Sequence, residues 1–277
     1  MTDRKIRMVA LDLDGTTLND HGEISERTVR AFQKAMEQDV HIVICTGRTF
    51  QSLPSQLFEI PGLEYVVTSN GAKITRLADQ KTVYENNIGG EAVSQIAEIL
   101  KPAGYSLEVF LNGGAYIAKE EYEEYLDIGS TYRDIGYVLS TRTPVDNFFE
   151  FIHANREHIE NINISFPNLD DRAVLMEMLG VVDNVTLTSS FIHNIEVGGA
   201  TTSKAEALRY LMKELGISSA ELLAAGDSFN DLAMIQLAGI GIVMGNASRK
   251  MKTHADYLTD TNGRDGVAKA IERFVIE

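Results

Sequence analysis

"MVALDLDGTTL" at residues 8–18 sets two carboxylates, Asp12 and Asp14, two positions apart where a nearly continuous apolar run gives way to glycine and hydroxyl residues. An apolar stretch of this length, stopped by "DGTT", reads as a strand buried on both faces and followed by a tight turn. "VHIVICTGR" at 40–48 and "EYVVTSNGA" at 64–72 stop in the same way, in small polar residues. Between the first two runs, "SERTVRAFQKAMEQ" at 25–38 offers Ser25 as an N-cap and repeats Val29, Phe32 and Met36 at helical spacing. Strand, helix, strand, with each strand ending in a polar cluster, is the grammar of a doubly wound parallel sheet in an α/β fold.

The same grammar returns late in the chain. "AELLAAGDSFND" at 220–231 reads as a strand ending in Gly226 and Asp227, "AGIGIVMGNA" at 238–247 as one ending in Gly245 and Asn246, and "HADYLTD" at 254–260 as a last short strand. Between the two halves the pattern changes. "EAVSQIAEILKPAG" at 91–104 is a helix with Val93, Ile96 and Leu100 on one face, and "YSLEVFLNGGAYIAK" at 105–119 is a hairpin turning at Asn112 and Gly113. "TPVDNFFEFIHAN", "INISF", "DRAVLMEMLG" and "NVTLTSSFIHNIEVG" continue the alternation of helix and strand without the small-residue endings. The expected organisation is a core built from residues 1–83 and 191–277, interrupted by a mixed α+β insert at 84–190.

Composition narrows the function classes. The 277 residues carry 40 Asp and Glu against 25 Lys and Arg, a formal charge of −15 with no basic stripe, so nucleic acid is not the expected partner. Positive charge for an anionic ligand has to come from a metal, a lysine or helix N-terminal amides. Cys45 is the single cysteine, which rules out an intrachain disulfide and a cysteine-based zinc site and fits a cytoplasmic location. No stretch reaches the ~18 apolar residues of a membrane span, and "MTDRKIRMVALD" lacks a secretory apolar segment.

In an open parallel sheet, ligands bind at the carboxyl ends of the strands. The polar endings gathered there are Asp12, Asp14, Thr46, Asn70, Asp227, Asn230 and Asp231. Like charges ~4 Å apart inside a protein repel by several kcal/mol. A divalent cation relieves that repulsion, and oxygen donors without cysteine or histidine point to Mg²⁺. Lys204 adds a monovalent charge. It opens the helix in "TTSKAEALRYLMKELG" at 201–216, where Ser203 and Glu206 make a capping-box pattern and Ala205, Leu208, Met212 and Leu215 the apolar face. A lysine on a helix ordinarily reads as solvated, but a cation in the first turn opposes the helix dipole, which suggests that it is kept for a ligand.

"ALDLDGTTL", "ICTGR", Lys204 and "GDSFND", in this order, resemble the four signature motifs of the haloacid dehalogenase superfamily of phosphohydrolases. The insert between the second and third motifs resembles the type IIB cap of the Cof-like branch, and the match spans essentially the whole chain. The resemblance implies that Asp12 is the nucleophile that forms an aspartyl-phosphate and that Asp14 is the general acid and base. It further implies that Mg²⁺ is held by Asp12, the backbone carbonyl of Asp14 and Asp227, with Asp231 close by. Leu13 and Gly47 through their amides, and Thr46, Lys204 and Asn230, would hold the phosphate oxygens. Gly15 and Thr16 let the chain turn so that both aspartates face one phosphate. In "VGGATTSK" at 197–204, Gly199 and Thr201 stand where the Cof-like pattern carries a proline and a glycine.

Weaker signals have ordinary explanations. Arg48 fits a substrate contact or a salt bridge equally. His21, His41, His153, His158, His193 and His254 lack ligand-like spacing, Cys45 reads as a small buried hydrophobe, and "EEYEEY" at 120–125 reads as an exposed helix face. The insert reads as a lid that excludes water and selects the leaving group, with Asn112, Gly113 and Tyr116 as candidate contacts. The leading expectation is a Mg²⁺-dependent phosphatase acting on a small phosphorylated metabolite, a sugar phosphate foremost. A sugar phosphomutase and a non-catalytic phosphate-binding protein are the alternatives.

Overall fold

A computed structural model describes residues 5–276, and the chain divides into two compact units. The first unit contains β1 (Met8–Asp12), β2 (His41–Cys45), β3 (Tyr65–Thr68), β4 (Lys73–Arg76) and β5 (Lys81–Glu85). The second contains β6 (Ser106–Leu111), β7 (Gly114–Ala118), β8 (Arg142–Val145), β9 (Ile159–Ser165), β10 (Val185–Thr188) and β11 (Asn194–Gly199). The chain then returns to the first unit as β12 (Leu222–Gly226), β13 (Ile240–Val243) and β14 (Tyr257–Leu258).

The first sheet has the order β14-β13-β12-β1-β2-β3-β4-β5. From β14 to β3 every pair is parallel, and β3 pairs with β4 antiparallel. β1 is central, flanked by β12 on one side and β2 on the other. This explains why its run is apolar throughout, since alternate residues face opposite layers and both are covered. Met8 and Ala10 share a core cluster with Val43, Cys45, Val67, Leu208, Met212 and Ala224, while Val9 and Leu11 are equally buried outside it. Each fully buried aliphatic side chain of this kind contributes about 1.5–3 kcal/mol.

Helix Glu26–Met36 forms with Ser25 as its cap, the Ser25 side chain accepting from the Thr28 amide. Its buried face is Thr28, Ala31, Phe32 and Ala35, whereas Val29 and Met36 are only half-buried. The expected apolar face is therefore rotated, because small residues allow closer packing than the spacing of large apolar ones reveals.

The second unit is a six-stranded sheet of order β10-β11-β9-β6-β7-β8. Only β7 and β8 run parallel within it. One face carries Leu107, Val109, Ile162, Ile164, Ile195 and Val197 against helices Gly90–Leu100, Phe148–Ala154 and Asp171–Leu179. The other face is polar, and its Glu108, Asn163 and Glu196 are register neighbours. The β6–β7 hairpin turns at Asn112 and Gly113 with φ of 50° and 76°.

The units correct the expected boundaries. The core resumes at Ser203 rather than at 191, because Asn194–Gly199 is β11, an interior strand of the second sheet. Arg48–Leu53 groups with the second unit as well, its Gln51 amide donating to the Gly113 carbonyl at 2.8 Å. Among the described residues, no helix is long and apolar enough to cross a membrane.

Candidate active site

Parallel pairing brings the ends of β1, β2, β3 and β12 to one edge of the first sheet. Asp12 ends β1, Thr46 and Gly47 follow β2, Asn70 follows β3, and Asp227 follows β12. The chain after β1 makes a single wide turn over Leu13–Thr17, closed by the Leu18 amide donating to the Leu13 carbonyl at 2.9 Å. The Thr17 hydroxyl donates to the Asp12 carbonyl at 2.6 Å, so the backbone of the first aspartate is held by its own turn. Gly15 adopts φ 74°, and a Cβ there would lie 2.7 Å from Asp227 Oδ2, so glycine is required both by conformation and by the neighbouring carboxylate.

Lys204 is fully buried, unlike the usual solvated lysine of a helix. Helix Lys204–Leu215 starts at Ser203, whose side chain accepts from the Glu206 amide, and ends at Gly216 in the left-handed region. Anchored in this way, Lys204 Nζ donates to Asp12 Oδ1 and to Asp231 Oδ1, both at 2.6 Å. The unfavourable placement of a cation in a first turn is offset by these two charge-assisted bonds. Asp231 is also fully buried, and its Oδ2 accepts from the Asp227 and Ser228 amides at 3.0 Å.

Asp12, Asp227 and Asp231 each offer a carboxylate oxygen, and these oxygens lie within 4.8 Å of one another. Burial pushes the Asp12 carboxyl well above the usual carboxylate range, and the charge of Asp231 adds to this against the pull of Lys204. Burial, then the charge of Asp231, pushes Asp227 up to about 6. Burial would lower the Lys204 ammonium, but Asp12 and Asp231 outweigh it and raise it. One lysine thus faces three acids. An all-oxygen donor set with this excess of negative charge suits a hard divalent cation.

Beside the acids, Asn70 and Asn230 form a polar pair with an unused donor and an unused acceptor. The Asn70 amide donates to the Thr46 carbonyl at 3.0 Å, and Asn230 Nδ2 donates to Asn70 Oδ1 at 3.1 Å. That leaves Asn70 Nδ2 and Asn230 Oδ1 buried with no hydrogen-bond partner among the described residues. A Cβ on Gly47 would come 3.0 Å from Asn70 Oδ1 and 3.4 Å from Asn70 Nδ2, so the absence of a side chain there keeps space beside the unused donor. A buried N–H without a partner costs about 1–3 kcal/mol, which a phosphate oxygen would recover.

Of the residues expected from sequence, Asp12, Lys204, Asp227 and Asp231 come together directly. Asp14 is exposed and stands outside the acidic triad, on the turn between buried Leu13 and Gly15. Thr46, Gly47 and Asn230 are joined through Asn70, which the "SNGA" ending marks as a strand-end residue with no spacing signal for a ligand role. Arg48 groups with the second unit, its guanidinium 4.9 Å from the Tyr137 ring centroid. Cys45 is buried, and burial raises its thiol far above reactivity.

Acids and one buried lysine gathered at the strand ends of a parallel sheet, next to the unused Asn70 donor, make a site of the hydrolase type. The chain belongs to the haloacid dehalogenase-like hydrolase family, which it matches over residues 9–271. It is 31% identical to the 5-amino-6-(5-phospho-D-ribitylamino)uracil phosphatase YcsE of Bacillus subtilis strain 168 over 280 residues, which covers 99% of this chain and 98% of that protein. It is 30% identical to phosphatase YwpJ of the same organism, over 98% of this chain and 100% of that protein. A solved haloacid dehalogenase-like hydrolase from B. subtilis matches with a TM-score of 0.84 at 28% identity, covering 98% of this chain and 100% of that one. The chain is accordingly an enzyme of the phosphatase class.

Proposed function

We propose that this phosphatase hydrolyses small organic phosphomonoesters, sugar and polyol phosphates foremost, with Mg²⁺ as cofactor and Asp12 as the phosphoryl acceptor. The observation that carries the reading is the placement of Lys204 Nζ at 2.6 Å from both Asp12 and Asp231, with Asp227 beside them and the unused Asn70 donor close by. The substrate class draws on the relative that dephosphorylates a phosphoribityl compound.

In the proposed sequence, an oxygen of Asp12 attacks phosphorus as the bond to the leaving oxygen breaks. Asp14 gives that oxygen its proton, so an alcohol departs and an acyl phosphate remains on Asp12. Asp14, now a carboxylate, takes a proton from water. The water oxygen attacks the same phosphorus, the bond to Asp12 breaks, and inorganic phosphate leaves with Asp12 restored. Lys204, Thr46, the amides of Leu13 and Gly47, and the Asn70–Asn230 pair hold the non-bridging oxygens, where positioning and charge supply most of the rate. Asp12, Asp227 and Asp231, with the Asp14 carbonyl, would hold Mg²⁺. Bound there, it supplies positive charge against the converging carboxylates and phosphate. A cytoplasmic location belongs to the same proposal and is supported by the single cysteine.

Release of inorganic phosphate from p-nitrophenyl phosphate and from a panel of sugar and polyol phosphates, with and without Mg²⁺, tests this. Mg²⁺-dependent net release is expected, and it also separates hydrolysis from mutase chemistry. No Mg²⁺-dependent release from any of them would overturn the reading.

A further inference from the structure

The polar ending of β13 at Gly245 and Asn246 has no task in the chemistry above, yet Asn246 reaches the turn that carries Asp14. Asn246 Nδ2 donates to the Gly15 carbonyl at 2.8 Å. Asn246 Oδ1 accepts from the Asn262 amide at 3.1 Å. Asn262 Nδ2 in turn donates to the Leu18 carbonyl at 3.0 Å and to Asp20 Oδ1 at 3.2 Å. The turn is therefore held at Gly15 and at Leu18 by two asparagines more than 200 positions downstream.

The placement matters because of what lies next to Gly15. Asp14 is exposed and has non-helical backbone angles, φ −79° and ψ 126°. Its neighbour on one side, Leu13, is buried in the core. Its neighbour on the other side is a glycine, the residue with the widest backbone freedom, fixed at φ 74°. Holding the Gly15 carbonyl removes that freedom one residue from the carboxyl group that has to meet the leaving oxygen. Proton transfer falls off with small misplacement, so a tether here acts on the acid step selectively.

We propose that Asn246, backed by Asn262, is a positioning residue for Asp14, holding the Gly15 peptide so that the Asp14 carboxyl stays within reach of the leaving group. This deepens the proposed function and rests on its assignment of Asp14 as the acid and base.

The test compares kcat/KM for phenyl phosphate and p-nitrophenyl phosphate, because kcat/KM reports only the steps through departure of the leaving group. p-Nitrophenolate leaves readily without a proton, whereas phenolate needs one. Asn246→Ala is expected to lower kcat/KM for phenyl phosphate by about tenfold or more while p-nitrophenyl phosphate changes by less than about threefold. Asn246→Asp keeps the shape and the acceptor for Asn262 but loses the donor to Gly15, and should show the same selectivity. Asn262→Ala should show it more weakly. Asp14→Asn is the reference. If it discriminates between the two esters and both Asn246 variants lower them equally, or lower neither, the tether is overturned while the acid–base reading stands. If Asp14→Asn itself does not discriminate, the acid–base reading falls and the tether falls with it.

Discussion

In the first unit one buried lysine stands among three carboxylates, while in the second two arginines close on one buried glutamate. Glu108 accepts from Arg133, from Arg142 Nη2 at 2.9 Å and from Asn163 Nδ2 at 3.0 Å, and all three charged groups are nearly inaccessible. Burial alone would raise the Glu108 carboxyl, but Arg142 and Arg133 outweigh it and hold it at about 2. Around Asp12 the balance goes the other way: burial and Asp231 prevail over Lys204 and the carboxyl is raised. Buried acids and bases thus make a structural lock in one unit and a site with surplus negative charge in the other. What separates them is the charge left over, and left-over negative charge is a demand for a cation that the chain does not supply.

Substitution at the acid–lysine site should have the largest effect. Asp12→Asn is expected to reduce phosphate release by far more than about 10²-fold, the lower range for losing a proton-transfer helper, because a nucleophile has no substitute. Its melting temperature should not fall, since one of three repelling acids is neutralised. Residual turnover near wild type would remove Asp12 from its role.

The lock should respond in the opposite sense. Glu108→Gln leaves two guanidinium groups buried without their counter-charge, and a loss of about 3–5 kcal/mol is expected in urea unfolding. Acid should reproduce part of this in the wild type. The folded pKa of Glu108, about 2, lies below its unfolded value of about 4.3, so its stabilisation is complete above the unfolded value and is lost as pH falls toward 2. About 3 kcal/mol should disappear over that window, and Glu108→Gln should lack this slope.

A cation distinguishes the two clusters directly. Mg²⁺ at about a hundredfold over its dissociation constant should stabilise the protein by about 2.7 kcal/mol, read as a thermal shift that Asp227→Asn diminishes and Glu108→Gln leaves intact. The smallest effect should come from Ser203→Ala. Loss of the cap on the helix that begins with Lys204 costs about 1 kcal/mol and should lower kcat modestly by loosening the lysine.

Much of this contrast was visible in the one-dimensional pattern, and its limits are instructive. β1, β2, β3, β12 and β13 announce themselves because strands buried on both faces must be apolar and must then stop in small polar residues. Those stops carry Asp12, Thr46, Asn70 and Asp227. The hairpin at Asn112 and Gly113 and the caps at Ser25 and Ser203 are equally local signals. β4, with Lys73 and Arg76 at its ends, and β8, which includes Pro144, carry no such signal: β4 is four residues long and turns straight back on β3, and β8 joins its sheet only by pairing with β7. The return to the core is not marked at 191 by any local signal: β11 belongs to the second sheet because its register places it beside β9, a pairing that the run "NIEVGG" does not announce. For Lys204 the two local arguments conflicted. Only the meeting of the helix start with Asp12 and Asp231 decides that the charge is buried, and no spacing rule contains that meeting.

Asp12 and Lys204 are 192 positions apart, and β1 has β2 on one side and β12 on the other. During vectorial synthesis the first aspartate leaves the ribosome early, on a strand with one open edge and with no counter-ion. All six strands of the second sheet, from Ser106 to Gly199, emerge before the lysine does. Domains fold as units as they emerge, and long-range parallel pairing forms slowly. The inserted unit is therefore complete while the nascent chain still lacks the assembled acid–lysine cluster, and a product truncated ahead of residue 204 retains Asp12 without the means to charge-balance it.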